Sequence, residues 1–200
     1  MQASSHLELA HRLLQYFPSA SPIEQAAFLF GSVEPDMNFL TYCRGLLHGA
    51  GLHGHNYAQV LPRIARLSRL LGGQESRGVQ AYYRLGKLTH YIADAFTFPH
   101  NTGFCGSLRS HIRYEARLAD CLHQPLTRMN FNPCASVRHV DFPGLVRWRH
   151  HLYVSAAPGP ENDIFFIIET AQAAVLAFAP SPATYAMRAG ARRLGGALRS

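Results

Sequence analysis

His90 and Asp94 lie four residues apart in the segment Leu85-Gly86-Lys87-Leu88-Thr89-His90-Tyr91-Ile92-Ala93-Asp94, so on a helix both side chains leave one face. Leu85, Leu88, Ile92 and Ala95 form a separate apolar stripe on the same helix. His100 follows the Pro99 stop, where the chain can turn it back toward the pair. A second i, i+4 pair, His111 and Glu115, comes soon after and shares its face with Leu108, Leu118 and Leu122. A glutamate in a leucine stripe is expelled unless something compensates its charge, because an unpaired buried carboxylate is costly. His6 poses the same problem among Leu9, Leu13 and Phe17, whereas His11 lies with Glu8 and Gln15 on a polar face. Either pair alone is an ordinary surface or core pairing. Together, two inward pairs, His100 and His6 point to a bound divalent cation, and imidazole with carboxylate suits zinc. The 12 histidines in 200 residues lead in the same direction.

The elements that must position these groups are helical. His6, Leu9, Ala10, Leu13 and Phe17 define one apolar face that Pro18 ends. Ser21-Pro22-Ile23-Glu24 reads as a capping box opening a short helix that stops at Gly31. The glycine-rich stretch 31–55 reads as mostly loop, with one helical turn near 39–47. Val60, Ile64, Leu67 and Leu71 mark a helix closed by Gly72-Gly73. Further helices are expected over 76–98, 108–123 and 143–155, with 125–142 irregular. After Pro158-Gly159-Pro160, Asn162 or Asp163 caps an apolar helix from Ile164 to Ala179, too short and too polar for a membrane span. No stretch alternates convincingly enough for a strand, and no repeat is present. The fold class is all-α, one multi-helix domain over 1–183 followed by a basic tail over 184–200.

The chain is long enough to bury a core without staples. The 48% hydrophobic and 16% charged content excludes a disordered or collagen-like chain. The net charge of +7 favours anionic partners, and the arginines of the tail allow contact with a membrane surface. No CxxC spacing joins Cys43, Cys105, Cys121 and Cys134, and no signal peptide is visible at the start, so reduced thiols and a cytoplasmic location are expected.

The run His-x3-Asp-x5-His followed by His-x3-Glu resembles the bacterial zinc-dependent phospholipases C. Ser5-His6-Leu7 resembles the segment of that family bearing an amino-terminal ligand histidine. Gly31-Ser32-Val33-Glu34-Pro35-Asp36 resembles the segment bearing its aspartate, and Gly54-His55-Asn56-Tyr57 a short His-x-Tyr stretch. The resemblance covers about residues 5 to 123. It implies an all-helical fold and two or three zinc ions. His55, His90 and Asp94 would hold one, and His100, His111 and Glu115 a second. His6 would hold a third with the other oxygen of Asp94, joined in the family by a processed amino terminus that donates its amine and carbonyl. His48 and His53 compete with His55 for its place. Asp36 would be the general base or a further ligand. The implied reaction is hydrolysis of a phosphodiester by a water that zinc acidifies, expelling diacylglycerol from a phospholipid.

No G-x-S-x-G elbow or phosphate-binding glycine loop offers a different chemistry, and no His-Asp dipeptide supports the HD-type phosphohydrolases. Single-strand nucleases of the same fold are an alternative, for which the charge and nine tyrosines leave room. A zinc-stabilised helical binding protein without catalysis is another. His123, His139, His150 and His151 fall outside the motif and read as surface or local hydrogen-bonding residues.

Overall fold

A computed structural model describes residues 1–37, 56–73, 78–129 and 141–178. His48, His53, His55, His139, Cys43, Cys134, the helical turn expected near 39–47 and the basic tail 184–200 lie outside the described residues. The described residues form seven α-helices, α1 (Ala3–Leu13), α2 (Pro22–Met37), α3 (Tyr57–Gly72), α4 (Val79–Ala95), α5 (Leu108–Thr127), α6 (Phe142–Ser155) and α7 (Pro160–Phe178), with 3₁₀ turns at Leu14–Tyr16 and Phe98–His100. The all-α class stands, and among the described residues no helix is long and apolar enough to cross a membrane.

Helix α4 is the axis. It packs against α2, α3 and α7, while α1 lies on α2 and α5, and α6 closes over α3 and α7. Every residue of α4 from Leu88 to Ala95 is buried, so His90 and Asp94 sit inside the bundle and not on a separate presenting face. The core around them joins Phe28 of α2, Ile64 of α3, Leu85, Leu88 and Ile92 of α4, Leu118 and Leu122 of α5 and Ile167 of α7.

Several boundaries differ from the sequence reading, each for a physical reason. The helix opened by Ser21 does not stop at Gly31 but continues to Met37. Its start is as expected, Glu24 reaching back to accept from the Ser21 N–H at 2.9 Å. Gly31 is no terminator, because it is the crossing point of two helices. A Cβ on Gly31 would fall on the Tyr83 carbonyl, and one on Gly86 on the Phe28 carbonyl and within 2.9 Å of the Ser32 nitrogen. Two facing glycines thus let α2 and α4 approach backbone to backbone, which carries Asp36, one turn beyond Ser32, toward His90.

Helix α4 is shorter than the expected 76–98. It begins after Gly78, whose φ of 55° suits glycine, and ends at Ala95. The chain leaves the helix at Phe96, runs extended at Thr97 (φ −102°, ψ 118°) and re-forms only as the turn Phe98–His100, whose first positions Pro99 suits because its missing N–H is not needed there. Helix α5 runs past His123 to Thr127. Its first turn stands clear of the core: Leu108 is 53% exposed, which removes it from the stripe that His111, Glu115, Leu118, Leu122 and Leu126 share. Helix α7 starts at Pro160, so Asn162 and Asp163 lie in its first turn and are not its caps.

Candidate metal centre

Five segments bring their polar side chains to one place. His6 comes from the buried face of α1 and is 2% exposed. Asp36 comes from the last turn of α2, His90 and Asp94 from the middle of α4. His100 ends the 3₁₀ turn, and His111 and Glu115 open the inward stripe of α5.

Two groups result. In the first, the ligand-bearing atoms of His6, Asp36 and His90 all lie within 4.8 Å of one another, and in the second so do those of His100, His111 and Glu115. The His6 and His90 rings stack at 3.9 Å. His90 Nε2 is 3.6 Å from Asp36 Oδ1, and His6 Nε2 is 3.9 Å from Asp36 Oδ2. Glu115 Oε1 is 3.2 Å from His100 Nε2 and 3.0 Å from His111 Nε2. Asp94, 1% exposed, lies between the groups. Its Oδ1 is 3.3 Å from His6 Nε2 and 3.4 Å from His100 Nδ1, and its Oδ2 is 3.2 Å from His90 Nε2. Zinc bonds of 2.0–2.1 Å in a tetrahedron separate neighbouring donors by about 3.3–3.4 Å, so these spacings suit the ion.

Three of the donors are held in the form that binds metal, whereas at His90 burial is outweighed by the charges of Asp94 and Asp36, which raise the imidazole above its usual value. Burial, with His90 beside it, pushes His6 down to about 3. Burial and the Met1 ammonium push His100 down to about 4. Burial opposes ionisation of Glu115, but hydrogen bonds from His100 and His111 and the Met1 ammonium outweigh it and hold the carboxyl well below its usual range. Neutral imidazoles and an ionised carboxylate are the forms that bind metal. Both ring nitrogens of His6, and Nδ1 of His100, are buried without a hydrogen-bond partner. Such orphaned groups cost free energy that a cation at the cluster would return.

His90 is held for the task from behind. Its Nδ1–H donates to the Ser32 carbonyl at 2.9 Å, which turns Nε2 toward Asp36 and Asp94. Helix α2 therefore supplies Asp36 and also orients the ring of its neighbour.

The sequence reading placed His6 apart from His90, as the ligand of a third ion; the geometry stacks them. The amine of Met1 also lies at the cluster, where the resemblance set a processed amino terminus beside the third ion. That nitrogen is buried, donating to Asp94 Oδ1 at 3.1 Å and lying 2.9 Å from Glu115 Oε1. Burial disfavours its charge, but Asp94 and Glu115 outweigh burial and raise it to about 10.

Outside the donors, His123 pairs with Glu8 at 2.7 Å on the surface and His151 is exposed, both as expected. His150 has more structure around it. Its ring stacks on Tyr57 at 3.3 Å, and its Nε2–H donates to Asn101 Oδ1 at 2.7 Å. Asn101 in turn donates to the carbonyls of Ala95 and Thr97, tying down the turn that bears His100. Burial lowers His150 to about 4, so it stays neutral.

A family model described as zinc dependent phospholipase C matches residues 5–151, a span that includes every donor above from His6 to Glu115. No curated protein and no solved structure matches the chain.

Proposed function

The chain belongs to the zinc-dependent phospholipase C family, and from that premise we propose that this zinc-dependent phosphodiesterase cleaves phospholipids, releasing diacylglycerol and a phosphorylated headgroup. The observation that carries the reading is the pair of three-donor groups with Asp94 set between them. His6 and His90 would hold one ion with Asp36 beside them, His100, His111 and Glu115 would hold another, and Asp94 lies within reach of both groups. The family likeness adds His55 as a further donor to the first.

Zinc held by these groups supplies positive charge for the phosphodiester oxygens and acidifies a water toward neutral pH. The chain's own part is orientation and proton transfer. The side chain of Asp36 is 22% exposed, against 1% for His6, 0% for His90 and 1% for Asp94. It is thus the acid of its group that substrate and water can reach. Asp36 orients the attacking water and takes its proton as the water oxygen bonds to phosphorus. The bond from phosphorus to the glycerol oxygen breaks opposite the entering oxygen, and the proton passes to that leaving oxygen. No serine or cysteine nucleophile takes part. The buried imidazoles, fixed by bonds such as that of His90 to Ser32, keep the donors in register.

The test is zinc stoichiometry by elemental analysis, followed by assay of the same sample on phosphatidyl esters of several headgroups and on single-stranded DNA. Phospholipid hydrolysis that a chelator abolishes and zinc restores is the expected result. Cleavage of DNA alone would assign the nuclease activity. A zinc-loaded protein inert on every diester would leave a zinc-stabilised binding protein.

A further inference from the structure

The two segments that build the second donor group are tied to one residue that belongs to neither. Asp163, in the first turn of α7, is fully buried. Its Oδ2 accepts from the Phe98 backbone N–H at 2.9 Å and from the Tyr114 hydroxyl at 2.9 Å, and its Oδ1 accepts from the Tyr153 hydroxyl at 2.7 Å. Phe98 opens the 3₁₀ turn that ends at His100, and Tyr114 immediately precedes Glu115. One carboxylate oxygen therefore joins the turn carrying His100 to the helix carrying Glu115. Those two donors come from elements that α4 and α5 alone do not hold in register, since residues 101–107 between them are a mostly exposed, non-helical connection.

Resting on the reading of His100, His111 and Glu115 as a metal site, we propose that Asp163 is the positioning residue of that site, setting the separation of His100 from Glu115 through Phe98 and Tyr114. An acid in the apolar helix α7 is costly to bury, and three convergent donors offset that cost. The chemistry also says which substitutes serve. Asparagine keeps the tie, its oxygen accepting from Phe98 and Tyr114 while its amide donates to the Tyr153 oxygen. Alanine leaves the Phe98 N–H and both hydroxyls without this acceptor.

Two tyrosines make the test selective. Each gives Asp163 one hydroxyl bond, but Tyr114 sits on a donor-bearing helix and Tyr153 on α6, which bears none. The experiment titrates the full chain with Zn²⁺ against a chromophoric chelator and records visible absorption with Co²⁺, whose bands report coordination geometry. The binding step that Glu115→Ala abolishes is the one to follow. Tyr114→Phe and Asp163→Ala should weaken that step about tenfold and shift the cobalt bands, with the other step unchanged. Tyr153→Phe and Asp163→Asn should stay near wild type. Should Asp163→Ala fail to fold, the tyrosine pair decides. Equal weakening by the two tyrosine variants, or no change with Tyr114→Phe, would overturn the proposal. Absence of any Glu115-dependent step in the wild type would overturn the metal reading itself, and is recognised before any variant of Asp163 is compared.

Discussion

Replacing Gly31 or Gly86 by alanine sets two effects of opposite sign against each other. Both residues are inside helices, where alanine is favoured over glycine by about 1 kcal/mol. Considered alone, helix propensity makes each variant more stable. The crossing of α2 and α4 says otherwise. A Cβ on Gly31 would land on the Tyr83 carbonyl oxygen and 3.0 Å from its carbon; one on Gly86 would land on the Phe28 carbonyl oxygen, 2.9 Å from the Ser32 nitrogen and 3.1 Å from the Gly31 carbonyl carbon. All of these are backbone atoms of packed helices and cannot rotate away. Overpacking of this kind costs about 1–3 kcal/mol, here at the upper end. The net loss is about 2 kcal/mol, which lowers the Tm of a chain this size by about 4–8 °C. Parting the helices also strains the bond from His90 Nδ1 to the Ser32 carbonyl, now 2.9 Å, so zinc at the first group should weaken while that at the second holds. Gly72 is the control, since nothing lies within 4 Å of the Cβ it would gain. Thermal unfolding of the metal-free variants, with zinc titration beside it, measures both effects. A rise in Tm for Gly31→Ala would show that the close crossing is not what the glycines serve.

Three further outcomes are expected. His90→Ala and Glu115→Ala each lose zinc by elemental analysis and lose the linked stabilisation, about 4 kcal/mol where free zinc exceeds its Kd a thousandfold; unchanged zinc content would remove either residue from the ligand set. Asp36→Asn lowers phosphodiester turnover by about 10²-fold or more while zinc content is retained, as loss of a general base requires, and normal turnover would end its catalytic role. Burial pushes Asp163 up to about 6 from 3.8 against the pull of its three donors. Its native form therefore holds a proton that the unfolded chain has already released between those values. Relative to Asp163→Asn, the wild type should lose about 2–3 kcal/mol of stability as pH rises from about 4 to about 6. Denaturant midpoints of the two metal-free proteins across that window would show a constant difference if the burial is not felt.

How much of this was legible beforehand follows from which features leave a periodic trace. The ligand motif was legible because a histidine and an acid four apart inside an apolar stripe contradict their surroundings, and His6, His111 and Glu115 all do so. The helices of the core were legible for the same reason, as with Val60 and Ile64 or Leu118 and Leu122. Gly31 was misread because glycine ends helices by its freedom and joins helices by its smallness, and a single sequence does not distinguish the two. Asp163 was read as a cap, the commonest use of an acid at that place, because its partners Phe98, Tyr114 and Tyr153 are distant in the chain. Residues that act through their own backbone, such as Ser32 behind His90, leave no compositional mark at all.

The two donor groups also differ in how far apart along the chain their members lie. His100, His111 and Glu115 fall within one short stretch that a single turn and the start of α5 bring together. His6, Asp36 and His90 come from α1, α2 and α4 and meet only when three helices are docked. The local set needs α7 docked behind it, where Asp163 ties Phe98 to Tyr114, whereas the distant set needs α1, α2 and α4 docked together. Loosening of the first helix would weaken the site that His6 lines before the one between the turn and α5, so metal occupancy at the two positions would report separately on two parts of the assembly.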